Sequence, residues 1–157
     1  MSSPLGVVVH FEHGNGVTEY LGWNFNSMAR IGDSYFAAGP DGFCRIGGTM
    51  DKGGGIYATV DTGGEDFGVA NPKRVRAVHL GGEFKGEMSV TVTADGTETA
   101  TYDVNAPSLP DDRNIKVPVG RDLIGRYWRV RLENSDGKDF SLDGIDVIYN
   151  TMSRRRG

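Results

Sequence analysis

Apolar and polar positions alternate with a period of two along most of the chain, most clearly from Gly125 to Asn150. Trp128, Val130 and Leu132 alternate there with Tyr127, Arg129 and Arg131, which places the first set on one face of a strand and the arginines on the other. A second arm repeats the pattern. Its inward set is Phe140 and Leu142, then Ile145, Val147 and Tyr149, and the one-residue slip at Asp143-Gly144 predicts a bulge. Between the arms, Asn134-Ser135-Asp136-Gly137-Lys138 carries the Asn/Asp-Gly chemistry of a tight turn, so the two arms are expected to form a hairpin.

The same period recurs upstream. Arg74 to Leu80 reads as one unbroken alternation, and Lys73-Arg74-Val75-Arg76 reads as a basic, solvated strand face. Met88 to Thr93 and Glu98 to Val104 flank Ala94-Asp95-Gly96-Thr97, a strong hairpin signal. After a loop punctuated by Pro107 and Pro110, Ile115 to Val119 reads as an edge strand, because Pro118 has no N–H to give to a ladder. Seven or so such strands predict an antiparallel β-sandwich of jelly-roll type over residues 56–157.

Residues 1–50 carry shorter strands and denser turns. Leu5 to Glu12 and Val17 to Leu21 flank His13-Gly14-Asn15-Gly16; segments around Met28, Phe36 and Cys44 are separated by Gly32-Asp33 and Gly39-Pro40-Asp41-Gly42. This predicts a small antiparallel β-meander resembling one propeller blade, an accessory or docking unit that must pack on something because its edges are open. Gly47 to Gly55 is read as a flexible boundary with too many glycines for regular structure.

Composition sharpens this picture. The 24 glycines fall in turns between alternating runs, and no window has helical periodicity with caps, so the fold class is all-β. Seventeen basic and 21 acidic residues give a net charge of −4, which argues against nonspecific nucleic-acid binding. No apolar window is long enough to span a membrane, and Met1 to Gly6 lacks the pattern of a signal peptide. The one cysteine, Cys44, has no partner for an internal disulfide and is expected to be a buried structural thiol.

Candidate chemistry is sparse. His10 and His13 lie three apart, on opposite sides of a strand, and do not chelate together; His79 stands alone. The glycines after Gly47 lack the Gly-Lys-Ser/Thr ending of a phosphate loop. Asp136, Asp139, Asp143 and Asp146 lie in or beside turns, where backbone roles account for them, and a calcium site is the weaker reading. No catalytic, cofactor or metal residue is assigned, and the expectation is a protein that is not an enzyme. Trp23 and Phe25 are candidates for an exposed contact pair, and Arg154, Arg155 and Arg156 form a basic tail able to dock on an acidic neighbour.

As an ordered set, Val17-Thr18-Glu19-Tyr20, Phe25-Asn26-Ser27, Ala37 to Gly42, Asp66-Phe67-Gly68, Lys73-Arg74-Val75, Gly125 to Trp128, Asp139-Phe140 and Ser153-Arg154-Arg155 resemble virion proteins of the tail or baseplate of tailed bacteriophages. The resemblance spans nearly the whole chain. It implies a non-enzymatic structural subunit, made in the host cytoplasm, present in several copies in a symmetric assembly of the virion tail, and packed against other virion proteins. A local resemblance of Arg126 to Tyr149 to the last hairpin of galactose-binding-like jelly rolls implies the alternative, a carbohydrate- or receptor-binding module that recognises host glycan.

Overall fold

A computed structural model of the chain describes residues 7–10, 17–20, 24–51, 53–106 and 113–152. The chain divides into two compact units, Met1–Gly48 and Thr49–Gly157. Among the described residues there is no α-helix.

The first unit holds two separate antiparallel ladders. β1 (Val7–His10) pairs with β2 (Val17–Tyr20), and β3 (Ser27–Ile31), β4 (Ser34–Gly39) and β5 (Gly42–Ile46) form a three-stranded meander. The second unit begins with a small ladder, β6 (Met50–Asp51) against β7 (Gly54–Gly55), in the stretch read from sequence as irregular. Glycine permits it for two reasons. Gly53 turns at φ 85°, and Gly55 lies against Gly137 so closely that an added Cβ would fall 2.8 Å from the Gly137 oxygen.

The rest of this unit is an antiparallel β-sandwich. One sheet has the order β11 (Glu98–Asn105), β10 (Glu87–Ala94), β13 (Trp128–Asn134), β8 (Thr59–Asp61); the other has β12 (Asn114–Pro118), β9 (Lys73–Phe84), β14 (Phe140–Thr151). Met88, Val90, Val92 and Ala94 of β10 stand with Trp128, Val130 and Leu132 of β13 on one inner face. Val75, Val78, Leu80 and Phe84 of β9 and Ile115 and Val117 of β12 belong to the same core cluster, with Phe140, Leu142, Ile145, Val147 and Tyr149 of β14 packed against it. Burying side chains of this size contributes roughly 1.5–3 kcal/mol each, so the two inner faces hold the sheets together. The β10–β11 hairpin turns at Asp95 and Gly96, both at positive φ, and β12 with its Pro118 is an edge strand, as the sequence predicts.

Several features depart from the sequence reading, and the first is the path of the chain at Asn134. The arms on either side of Asn134 do not form a hairpin: β13 pairs with β10 and β8, while β14 pairs with β9 in the facing sheet. Residues 135–139 therefore cross between layers. Asn134 is 4% exposed, and its amide fixes the crossing. Oδ1 accepts from Ala58 N–H at 2.7 Å, and Nδ2 donates to the carbonyls of Ile56 and Lys138, each at 2.7 Å. Asp136 secures the other side of the loop, accepting from the N–H groups of Glu87 and Lys138. These bonds attach the turn to β10 and to the segment before β8, so the chain leaves its own sheet.

The second departure lies in β9. Its alternation breaks at Arg76, where Val75 faces Tyr149 and Ala77 faces Ile148, leaving Arg76 as the extra residue of a bulge. Val75 and Val78 both reach the core cluster as a result. The bulge expected at Asp143 is present, with Leu142 facing Gly82 and Gly144 facing Gly81. It requires glycine on the partner strand, because a Cβ at Gly82 would lie 2.0 Å from the Ser141 oxygen.

Lys73 is also not on a solvated face. It is fully buried, and its ammonium donates to the carbonyls of Val69, Asn71 and Arg126, which uses its three donors. Arg74 is half-buried and Arg76 exposed. Cys44 is half-buried, because the meander covers its faces only in part.

Replacing Asn134 by alanine removes three part-buried hydrogen bonds and is expected to lower unfolding free energy by about 3 kcal/mol in a urea titration. Loss of less than about 0.5 kcal/mol would show that the amide does not fix the crossing.

Candidate functional site

The meander β3-β4-β5 is the most unusual surface among the described residues. Cross-strand register sorts its side chains into two faces. One carries Ser27, Ala29, Ile31, Ser34, Phe36, Ala38, Phe43 and Arg45; the other carries Met28, Arg30, Tyr35, Ala37, Cys44 and Ile46. Ala37 alone among these residues is buried, at 1%. Ile31 at 62% and Phe43 at 67% are exposed on the first face, and Met28 at 57% and Tyr35 at 55% on the second. Phe36 and Phe43 stack with ring centroids 5.2 Å apart, and the Arg30 guanidinium sits 5.8 Å from the Tyr35 centroid. An antiparallel sheet with one dry and one wet face alternates apolar and polar residues. This one exposes large apolar side chains on both, beside Arg45 on the first and Arg30 on the second.

The outer face of the four-stranded sheet is polar by contrast. Thr101, Thr91, Arg131 and Asp61 form one cross-strand row, and the Thr91 and Thr101 hydroxyls lie 3.0 Å apart. Arg129 Nε reaches both Asp61 oxygens, at 2.7 and 2.9 Å. The Arg129 guanidinium holds the Asp61 carboxyl below the usual carboxylate range, opposed by partial burial and assisted by the Gly63 N–H and the charge of Arg131. Arg129 is raised in return by the same carboxylate.

At the crossing loop, Lys85, Asp136, Gly137, Lys138 and Asp139 line a shallow groove of about 370 Å³ with Thr49, Met50 and Gly55. Its charges are already engaged. Lys85 donates to Asp139 at 2.9 Å, which raises the Lys85 pKa, and the Glu87 N–H heads the contacts that lower that of Asp136. Asp143 and Asp146 lie apart from these on β14, and the described residues contain no group of three side chains placed to hold a metal ion.

Of the residues selected from sequence, Phe25 is half-buried beside the end of β4, where a Cβ at Gly39 would lie 3.5 Å from its ring. Trp23, Arg154, Arg155, Arg156, His13, Pro107 and Pro110 lie outside the described residues, as does the side chain of His10. The structure brings forward Met28, Ile31, Tyr35 and Phe43, which the sequence reading placed in the strands of the meander without singling them out. Their signal was legible: apolar residues at consecutive positions such as Tyr35-Phe36-Ala37-Ala38 leave no polar face. Comparison with protein-family models, with curated proteins and with solved structures finds no match for this chain.

The Asp61 pair predicts an acid-sensitive contribution to stability. A carboxyl lowered by folding contributes fully above its unfolded pKa of about 4 and loses that contribution as pH falls through the lower, folded value. Asp61→Asn is expected to cost about 0.5 to 1 kcal/mol at neutral pH, small because both arginines are half-exposed, and nothing at a pH below the folded value. Thermal melts of both proteins from pH 7 to pH 2 check this; a difference independent of pH would count against it.

Proposed function

We propose that this chain is a non-enzymatic structural subunit of a bacteriophage tail or baseplate, assembled in several copies with other virion proteins. The observation that carries the reading is the meander 27–46, whose two faces both expose large apolar side chains. Three short strands in this state leave more apolar surface in water than an isolated sheet tolerates, and contiguous exposed apolar surface marks a protein–protein contact. The sandwich supplies a rigid counterpart. Its loops are pinned by backbone and side-chain bonds from Asn134, Asp136 and Asp95, the last accepting from the N–H groups of Arg126 and Tyr127. The resemblance of an ordered set of short sequence motifs to tail and baseplate proteins is what points this reading to that kind of assembly.

The chain is expected in purified particles of the phage that encodes it, in fixed stoichiometry to the other tail proteins, by quantitative mass spectrometry. Phe43→Ser and Met28→Ser are expected to reduce incorporation several-fold while leaving the melting of the sandwich unchanged. Particles that lack the chain altogether would end this reading.

A further inference from the structure

β14 is twelve residues long and, among the described residues, lies at the edge of its sheet, paired with β9. Edges that face water are ordinarily blunted by short length, lysine or proline. The other edges of the sandwich follow this rule or are partly covered. β8 has three residues, β12 carries Lys116 and Pro118, and the Tyr102 hydroxyl of β11 accepts from the Gly120 N–H. β14 contains no lysine, arginine or proline; its charges, Asp143 and Asp146, and its bulge at Asp143 lie in the first part of the strand, which leaves residues 147–151 unprotected. Its inward residues Leu142, Ile145, Val147 and Tyr149 are only half-buried, and Ile148 on its outer side is 51% exposed.

The backbone phase of this edge is fixed by its neighbours. Met152 N–H donates to Pro72 on the β9 side, while Lys73, opposite Thr151, gives both its N–H and its C=O to Gly125. Thr151, Tyr149, Val147 and Ile145 therefore direct their N–H and C=O groups away from β9, toward the open side. Such a row recognises an extended backbone.

We propose that the occupant is β14 of a second copy, antiparallel across a two-fold axis at Ile148. This deepens the assembly reading above and rests on it for the presence of several copies. In that register Val147 stands opposite Tyr149 and Ile145 opposite Thr151, so the outward-directed groups of each strand meet those of the other. Ile148 meets its own copy in a non-hydrogen-bonded pair, where side chains approach most closely. Asp146 meets Asn150, so no like charges are opposed. Moving the axis to Asp146 would set two carboxylates face to face, and moving it to Val147 would set each Asp146 against Ile148. The pairing joins two three-stranded sheets into one of six strands, in the order β12-β9-β14-β14-β9-β12.

The test uses the full chain and its Ile148 variants, because Ile148 is exposed in the single copy and its replacement leaves the core intact. Light scattering after size-exclusion chromatography is expected to give a dimer mass for the wild type. Ile148→Glu and Ile148→Lys, each placing like charges opposite one another at the axis, are expected to weaken dimerisation roughly tenfold or more. An equimolar mixture of the two variants is expected to recover a heterodimer, which a folding defect would not do. A wild-type monomer at every concentration overturns the pairing, whether the edge is empty or takes a strand from a different protein. A dimer that persists in Ile148→Lys overturns the register. Either result leaves the assembly reading standing, whereas absence of the chain from particles overturns that reading whatever the mass in solution.

Discussion

The sandwich depends on one buried amide. Two strands with matching apolar alternation can lie side by side in one sheet or face each other across a core, and both arrangements satisfy the pattern of their side chains. Asn134 decides between them by taking one hydrogen bond from the backbone before β8 and giving one to that segment and one to its own loop. Its three bonds at 2.7 Å are made by a buried amide to partly buried backbone groups, so an alternative path for the chain would leave the amide without them. Once the chain is committed to crossing, β13 completes one inner face and β14 the other, and the core from Val75 to Tyr149 closes between them.

Lys73 acts in a related way at the opposite end of β14. Its ammonium is surrounded by three carbonyls instead of a carboxylate, which ties the 69–71 loop and Arg126 to the start of β9. The two bulges then adjust phase. Arg76 lets Val75 and Val78 both point inward, and Asp143 does the same for Leu142 and Ile145 on the facing strand. A long strand pair twists, and extra residues at such points keep apolar side chains on the core face as it does so.

Among the described residues this architecture leaves two features unfinished. The sandwich closes its centre and leaves β14 as an open margin; the meander of the first unit closes neither face. Some charged groups are paired locally, as at Arg129 with Asp61 and Lys85 with Asp139. Open backbone edges and exposed aliphatic or aromatic side chains are the kinds of group that recognise other polypeptides.

Sequence alone determined the strands, because a period of two is a local property: Trp128, Val130 and Leu132, the Asp95-Gly96 turn, the Pro118 edge and the slip at Asp143 were all legible from neighbouring residues. The apolar excess of the meander was legible too, though not which of its side chains stay uncovered. Only the tertiary structure decided that the arms around Asn134 part into different sheets, that Lys73 is buried, and that Arg76 is a bulge. Each of these depends on groups distant in the chain, Ile56 and Ala58 for Asn134, Arg126 for Lys73, Tyr149 for Val75, and alternation carries no information about which remote backbone group a side chain will meet.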